Sequence, residues 1–186
     1  FSNKESVNAV IDINKRQLTK CNHSSTHLLH SSLREVLGNH VSQKGSLVNN
    51  EKLRFDFSHN EPISSDNIIK IENYVKMEIT NNSPVNTKII DHQKAIEEGA
   101  MALFGEKYGD EVRVVSMGSK EGEKIFSKEL CGGTHVNRTG DIIDFKIINQ
   151  SSVASGIRRL EALTNISIKQ FENEQIRLHQ QKEADN

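Results

Sequence analysis

Two pairs of metal-capable side chains constrain this chain more than any other feature. His23 and His27 are four positions apart, Cys131 and His135 are four positions apart, and 108 positions separate His23 from Cys131. At helical spacing both imidazoles of the first pair project from the same side, one turn apart, beside the apolar face of that helix. The second pair brackets Gly132-Gly133, which reads as a loop whose glycines let the backbone turn tightly around an ion. Three imidazoles and a thiolate form a borderline-soft set suited to tetrahedral Zn²⁺. A fold that uses all four must bring the first helix against a distant loop.

Each half alone also has an ordinary reading. Paired histidines recur on helices by chance, and a lone cysteine is commonly a small buried hydrophobe. His30 projects from the same side as His23 and His27, as a spare ligand or, more in keeping with its position, an outer-shell or surface group. His23-Ser24-Ser25-Thr26-His27 lacks the carboxylate that a zinc peptidase places beside its first histidine, which disfavours that chemistry. Cys21 has no CxxC partner, so thiol redox chemistry is disfavoured too.

Composition narrows the function classes. The 24 Lys and Arg against 25 Asp and Glu leave no global basic field, so any RNA contact has to be local. Only 5% of residues are aromatic and none is Trp, which argues against a base-stacking platform. Two cysteines build no disulfide framework, no secretory signal is visible, and no apolar run is long enough to span a membrane. A cytoplasmic protein is expected. The start at Phe1, without an initiator Met, suggests a piece of a longer protein.

Periodicity predicts an α+β fold, a mostly antiparallel sheet packed with helices, because strands cluster around a few helices without regular βαβ alternation. Val7 to Asp12 reads as a strand, with Arg16 to Asn22 leading out of it. A helix is expected over Ser24 to Gly38, with Leu29, Leu33, Val36 and Leu37 on one face. Ser46 to Val48 and Leu53 to Phe57 read as strands or a hairpin, and Asn67 to Glu78 as a helix with Ile68, Ile71 and Val75 inward. After an extended Val85 to Ile90, Asp91 is expected to cap a helix running through Ala102 toward Phe104. Val112 to Met117 reads as a strand, Gly118 to Glu123 as a polar turn, and Ile143, Phe145 and Ile147 as one alternating strand. Ile157 to Leu163 completes the strands, and Thr164 is expected to cap a C-terminal helix with a polar tail.

Asn22-His23-Ser24-Ser25-Thr26-His27-Leu28-Leu29-His30, Gln43-Lys44-Gly45-Ser46, Arg54-Phe55-Asp56-Phe57-Ser58-His59, Ala102 to Asp110, Leu130-Cys131-Gly132-Gly133-Thr134-His135 and Arg158-Arg159-Leu160-Glu161-Ala162 run in order along the chain. Together they resemble the editing domain of alanyl-tRNA synthetases. The HxxxH and CxxxH halves are shared with threonyl-tRNA synthetases; the QKGS, RFDFSH and RRLEA segments favour the alanyl branch. The resemblance implies residues 1–20 as the tail of a preceding β-barrel, 21–165 as the editing domain and 166–186 as a helical connector.

It further implies hydrolysis of seryl- and glycyl-tRNA(Ala), with the tRNA 3′ end and the rest of a parent synthetase as partners. The physical need is that a pocket sized for alanine cannot exclude glycine and rejects serine poorly. Zn²⁺ is implied on His23, His27, Cys131 and His135, either closed by all four or with a labile fourth position at His135. In the open case the metal lowers the pKa of a water or polarises the ester carbonyl. By the same resemblance Gln43 reads the amino acid, while Thr134 donates to substrate or fixes its turn. Arg158, with Lys44 and Arg54, is expected to meet the tRNA backbone, and Arg159 to pair with Glu161 on its own strand face. Two other readings stand beside this one: threonyl-type editing of seryl-tRNA(Thr), and a non-catalytic zinc-stabilised tRNA-binding module.

Overall fold

The computed structural model describes residues 6–102, 108–118 and 125–184. Phe104 and residues 119–123 of the expected turn lie outside them.

A 25-residue helix, α1 (Ile13–Leu37), starts where the Asp12 side chain accepts a hydrogen bond from the Lys15 amide and ends at Gly38, whose φ is 112°. It is followed by the hairpin β1 (Gln43–Val48) and β2 (Leu53–Ser58), and by α2 (Ser65–Asn81) capped by Ser64. Next come β3 (Asn86–Asp91), the short α3 (His92–Glu97), β4 (Glu111–Met117) and β5 (Ser127–Leu130). A 3-10 turn at Thr139–Ile142 leads to β6 (Phe145–Ala154), β7 (Ile157–Thr164) and α4 (Ile166–Ala184). The strands form two antiparallel sheets, ordered β1-β2-β7-β6 and β3-β4-β5. The fold is α+β.

α1 and α2 pack on each other and on the four-stranded sheet. Phe55, Phe57, Phe145, Leu160 and Ala162 of that sheet are buried with Leu28, Leu29 and Leu33 of α1 and with Ile71 and Val75 of α2. Each such large apolar side chain contributes about 1.5–3 kcal/mol by leaving water. The smaller sheet buries Ala95, Ala100, Val112, Val114 and Leu130. β4 serves both cores, because alternation sends Val112 and Val114 to the smaller one and Val115 and Met117 to the larger.

Four local expectations are corrected. Val7 to Asp12 forms no strand: it is exposed and irregular, and Arg16 to Asn22 already belongs to α1. His23 and His27 therefore sit mid-helix, not at a helix start. α3 stops at Glu97, ahead of the positive-φ Gly99, and Ala102 lies beyond it. Ile143 is not in the strand, having φ 74° and an exposed side chain. Thr164 ends β7 instead of capping α4; it is buried and its hydroxyl donates to Asn22 Oδ1 at 2.7 Å.

Candidate metal centre

α1 is unusually polar where it is most buried. Asn22, Ser24, Ser25, Thr26, His27, His30, Ser31 and Ser32 are all buried, a choice that only specific partners can sustain. Asn22 donates to the Asn49 carbonyl at 2.8 Å and accepts from Thr164, locking this turn of the helix to both the β1–β2 loop and the end of β7. Ser24 Oγ accepts from the Val136 amide at 3.1 Å, which ties the helix to the segment after β5.

Those ties bring the two halves together. One ligand atom each from His23, His27, Cys131 and His135 falls within a span of 4.8 Å. His23 Nε2 is 3.5 Å from Cys131 Sγ, within the roughly 3.3–3.8 Å that separates donors around a tetrahedral zinc ion. The opposite ring nitrogens are held from outside. His23 Nδ1 donates to the Thr134 carbonyl at 3.1 Å, His27 Nδ1 to Glu129 Oε2 at 2.8 Å, and His135 Nδ1 is 3.4 Å from Ser24 Oγ. Nε2 of His27 and of His135 is buried with no hydrogen-bond partner among the described residues. Outer partners on Nδ1 with orphaned Nε2 atoms turned inward are the arrangement of imidazoles that bind a cation.

The electrostatics fit as well. Burial resists ionisation of Cys131, but the imidazoles of His135, His23 and His27 outweigh it and bring the thiol to about 3. Burial also resists charge on His27, and Glu129 together with Cys131 overcomes it, raising that imidazole to about 10. Glu129 is held well below the usual carboxylate range, against its burial, by His27 and His30. Burial pushes the His135 imidazole down. A thiolate and a carboxylate thus share one buried space, and a divalent cation with three neutral imidazoles balances them. The residues fit Zn²⁺.

The Gly-Gly loop has a steric reason. A Cβ on Gly133 would fall 2.6 Å from His23 Nδ1 and closer still to Cε1, whereas Gly132 has open space at that position. Arg113 donates to the carbonyls of Cys131 (2.7 Å) and Gly133 (2.8 Å) and so fixes the loop's path. Beside it lies a cavity of about 430 Å³ lined by Thr87, Arg113, Gly132, Thr134 and His135.

Gln43 lines a different, smaller cavity of about 180 Å³, with His30, Arg34, Ser42, Met101 and Glu129. Glu129 links the four-residue cluster to this smaller cavity, since one oxygen accepts from His27 and the second from His30 Nδ1 at 3.0 Å. His30 is therefore a buried partner of Glu129, not one of the four clustered ligands. The basic candidates separate. Gln43 pairs across the sheet with Phe57 and Phe57 with Arg158, so Arg158 shares a sheet face with Gln43, and its Nε is buried and unpartnered among the described residues. Arg54 pairs with Glu161 across the strands, on the opposite face, 3.8 Å from Asp56, and Lys44 sits at the bulge in β1. The expected pairing of Arg159 with Glu161 is corrected: Arg159 grips Asp56 through two bonds of 2.7 and 2.8 Å, and Glu161 pairs with Lys52 at 2.6 Å. Asp56 is the cross-strand neighbour of Arg159, nearer than a residue two along the same strand.

Residues 112–161 match the family described as the threonyl and alanyl tRNA synthetase second additional domain. The alanine–tRNA ligase of Saccharophagus degradans is 58% identical over 155 residues, covering 83% of this chain and 17% of the ligase. The chain carries the second additional domain of these synthetases. The alanine–tRNA ligase of Chelativorans sp. is 54% identical over 177 residues, 93% of this chain and 20% of the ligase. That of Burkholderia multivorans is 55% identical over 158 residues, 85% and 17% respectively. The chain thus spans about a fifth of the length of these relatives. The match to the second additional domain covers β4, β5, the Cys131–His135 loop and β7 as far as Glu161, whereas the helix that supplies His23 and His27 lies outside it. No helix among the described residues is long and apolar enough to cross a membrane.

Glu129, Arg113, Ser24 and Asp56 are the site residues that sequence reasoning missed. Glu129 gave no local signal, because β5 ends at Leu130 and alternation does not carry through to Cys131.

Proposed function

We propose that this chain is a deacylase that hydrolyses the ester of mischarged tRNA(Ala), clearing seryl- and glycyl-tRNA(Ala), with Zn²⁺ on His23, His27, Cys131 and His135. The observation that carries the reading is the buried His/His/Cys/His cluster with outward Nδ1 partners, in a chain more than half identical to segments of alanine–tRNA ligases. When bound, the ion supplies Lewis acidity toward the ester carbonyl or a water. The chain's own residues do the rest. Thr134 and His135, on a loop pinned by Arg113, hold the reacting ester beside the four clustered donors. The Gln43 amide, donor and acceptor at once, reads the aminoacyl group and cannot itself act as a base. Arg158, with Lys44 and Arg54, takes the tRNA backbone in local contacts, in keeping with a net charge of −1. Residues 21–165 form the hydrolytic unit, 1–20 and 166–186 join it to the rest of a parent synthetase, and the setting is cytoplasmic.

The alanyl substrate is favoured over the threonyl one because the relatives named above are alanine–tRNA ligases. The test is deacylation of seryl-tRNA(Ala), glycyl-tRNA(Ala), alanyl-tRNA(Ala) and seryl-tRNA(Thr) side by side. Hydrolysis of the first two is expected. Activity confined to seryl-tRNA(Thr), or zinc binding with no hydrolysis of any ester, overturns the proposal.

A further inference from the structure

His30 is buried, yet it is not one of the four clustered donors. It stands three positions after His27 on α1, so the two rings leave the helix on one side. Both turn Nδ1 to the same buried carboxylate, His27 at 2.8 Å from Glu129 Oε2 and His30 at 3.0 Å from Oε1. An ionised carboxylate only accepts, so each nitrogen facing it carries a proton. Phe55 packs against the His30 ring with centroids 5.2 Å apart, and the far nitrogen, Nε2, is buried without a partner among the described residues. A buried carboxylate and a buried unpaired nitrogen are both costly. Apolar side chains would fill this space between α1 and β5 at lower cost, so their retention points to an effect on His27.

The outer partners of the three clustered imidazoles differ in kind. His23 faces the Thr134 carbonyl and His135 the Ser24 hydroxyl, whereas His27 faces a carboxylate. A carboxylate that accepts from Nδ1–H keeps the proton on that nitrogen, leaves the lone pair on Nε2 and strengthens it as a donor. Its own orientation then matters. Held at one oxygen, a glutamate carboxylate still turns about its terminal bond, which is a broad torsion. Held at both oxygens by nitrogens from one helix, it does not.

We propose that Glu129 and His30 are positioning residues of the metal centre: His30 clamps one oxygen of the Glu129 carboxylate, so that the other fixes the tautomer and ring orientation of His27. This rests on the zinc ligation proposed above and not on the hydrolysis.

The readout is zinc affinity, measured by titrating a chelator against the zinc-loaded protein. Glu129→Gln keeps the size and removes the charge, and should bind zinc about ten- to a hundredfold more weakly. His30→Leu leaves Oε1 unheld and should bind it about three- to tenfold more weakly. His30→Asn, whose amide nitrogen stands where Nδ1 stood, should recover most of that loss. Because His30 acts through Glu129, the double variant His30→Leu/Glu129→Gln should bind zinc no more weakly than Glu129→Gln alone. A lower melting midpoint with unchanged zinc affinity, no recovery in His30→Asn, or losses that add in the double variant overturns the role. Should the variants fail to fold, ¹⁵N resonances of the zinc-loaded wild-type protein decide. His27 must carry its proton on Nδ1 and the metal on Nε2, and His30 must carry a proton on Nδ1. Metal on His27 Nδ1, or a bare Nδ1 on His30, overturns the role. Zinc affinities in the expected order, in a protein that hydrolyses no mischarged tRNA, support the role and overturn the deacylase reading. An active wild type whose variants keep its zinc affinity overturns the role alone.

Discussion

The four-stranded sheet rests on a core containing Phe55, Phe57 and Phe145, which Val115 and Met117 of β4 also reach, whereas the other face of the three-stranded sheet rests on Ala95, Ala100, Val112, Val114 and Leu130. The first side supplies His23 and His27 from a long helix packed along its length. The second supplies Cys131 and His135 from a loop held by Arg113 and by one hydroxyl of that helix. A side with a large core fixes its ligands by packing. A side with a small core of its own fixes them by polar contacts, by packing Cys131 and Val136 against the larger core and, when present, by the ion.

The largest expected effect tests this asymmetry directly. Chelation, or Cys131→Ala, should remove about 4 kcal/mol when free zinc had stood a thousandfold above its dissociation constant. Hydrogen exchange should show β3, β4 and β5 losing protection before β2 and β7. Uniform loss would break the comparison. Next is Gly133→Ala, whose methyl group collides with the His23 ring. Zinc affinity should fall ten- to a hundredfold in a competition titration, while Gly132→Ala leaves it unchanged.

Arg159→Met acts on the other side. It strips a two-bond partner from Asp56, itself 7% exposed, and should lower the midpoint of a urea titration with no change in zinc affinity. The smallest effect concerns acid. Lys52, with help from Asn149, holds the Glu161 carboxyl below its usual value. A depressed carboxyl contributes its stability above the unfolded pKa, about 4.3, and loses it as pH falls through the folded value. Glu161→Gln should therefore flatten urea midpoints only below about pH 4.3. The difference should stay under about 1 kcal/mol, because the Lys52 side chain is 43% exposed.

Periodicity carried the sequence reading where apolar residues face a core. The stretch ending at Leu37, the β1–β2 hairpin, α2 and β7 all show it. It misled at Val7 to Ile11, which is apolar yet exposed, and it passed over the first turns of α1, where Asn14, Lys15, Arg16 and Gln17 offer no stripe. The Asp12 cap was the legible sign of that helix. The four clustered residues stood out because few side chains bind metals. Glu129 did not, since a glutamate on a short strand looks like any solvated acid until His27 and His30 are seen on either side of it. The partner of Arg159 depended on strand register, which local spacing does not encode.

His23 and Cys131 meet across 108 residues of chain. Closing a loop of that length costs the unfolded chain about 4–5 kcal/mol of configurational freedom. On the ribosome α1 emerges first and must wait, its serines and histidines wet, until the segment around His135 has been made. The four donors are therefore a late latch and not a nucleus. Scarce zinc should lower the yield of finished molecules while leaving the early helices as fast to form as before.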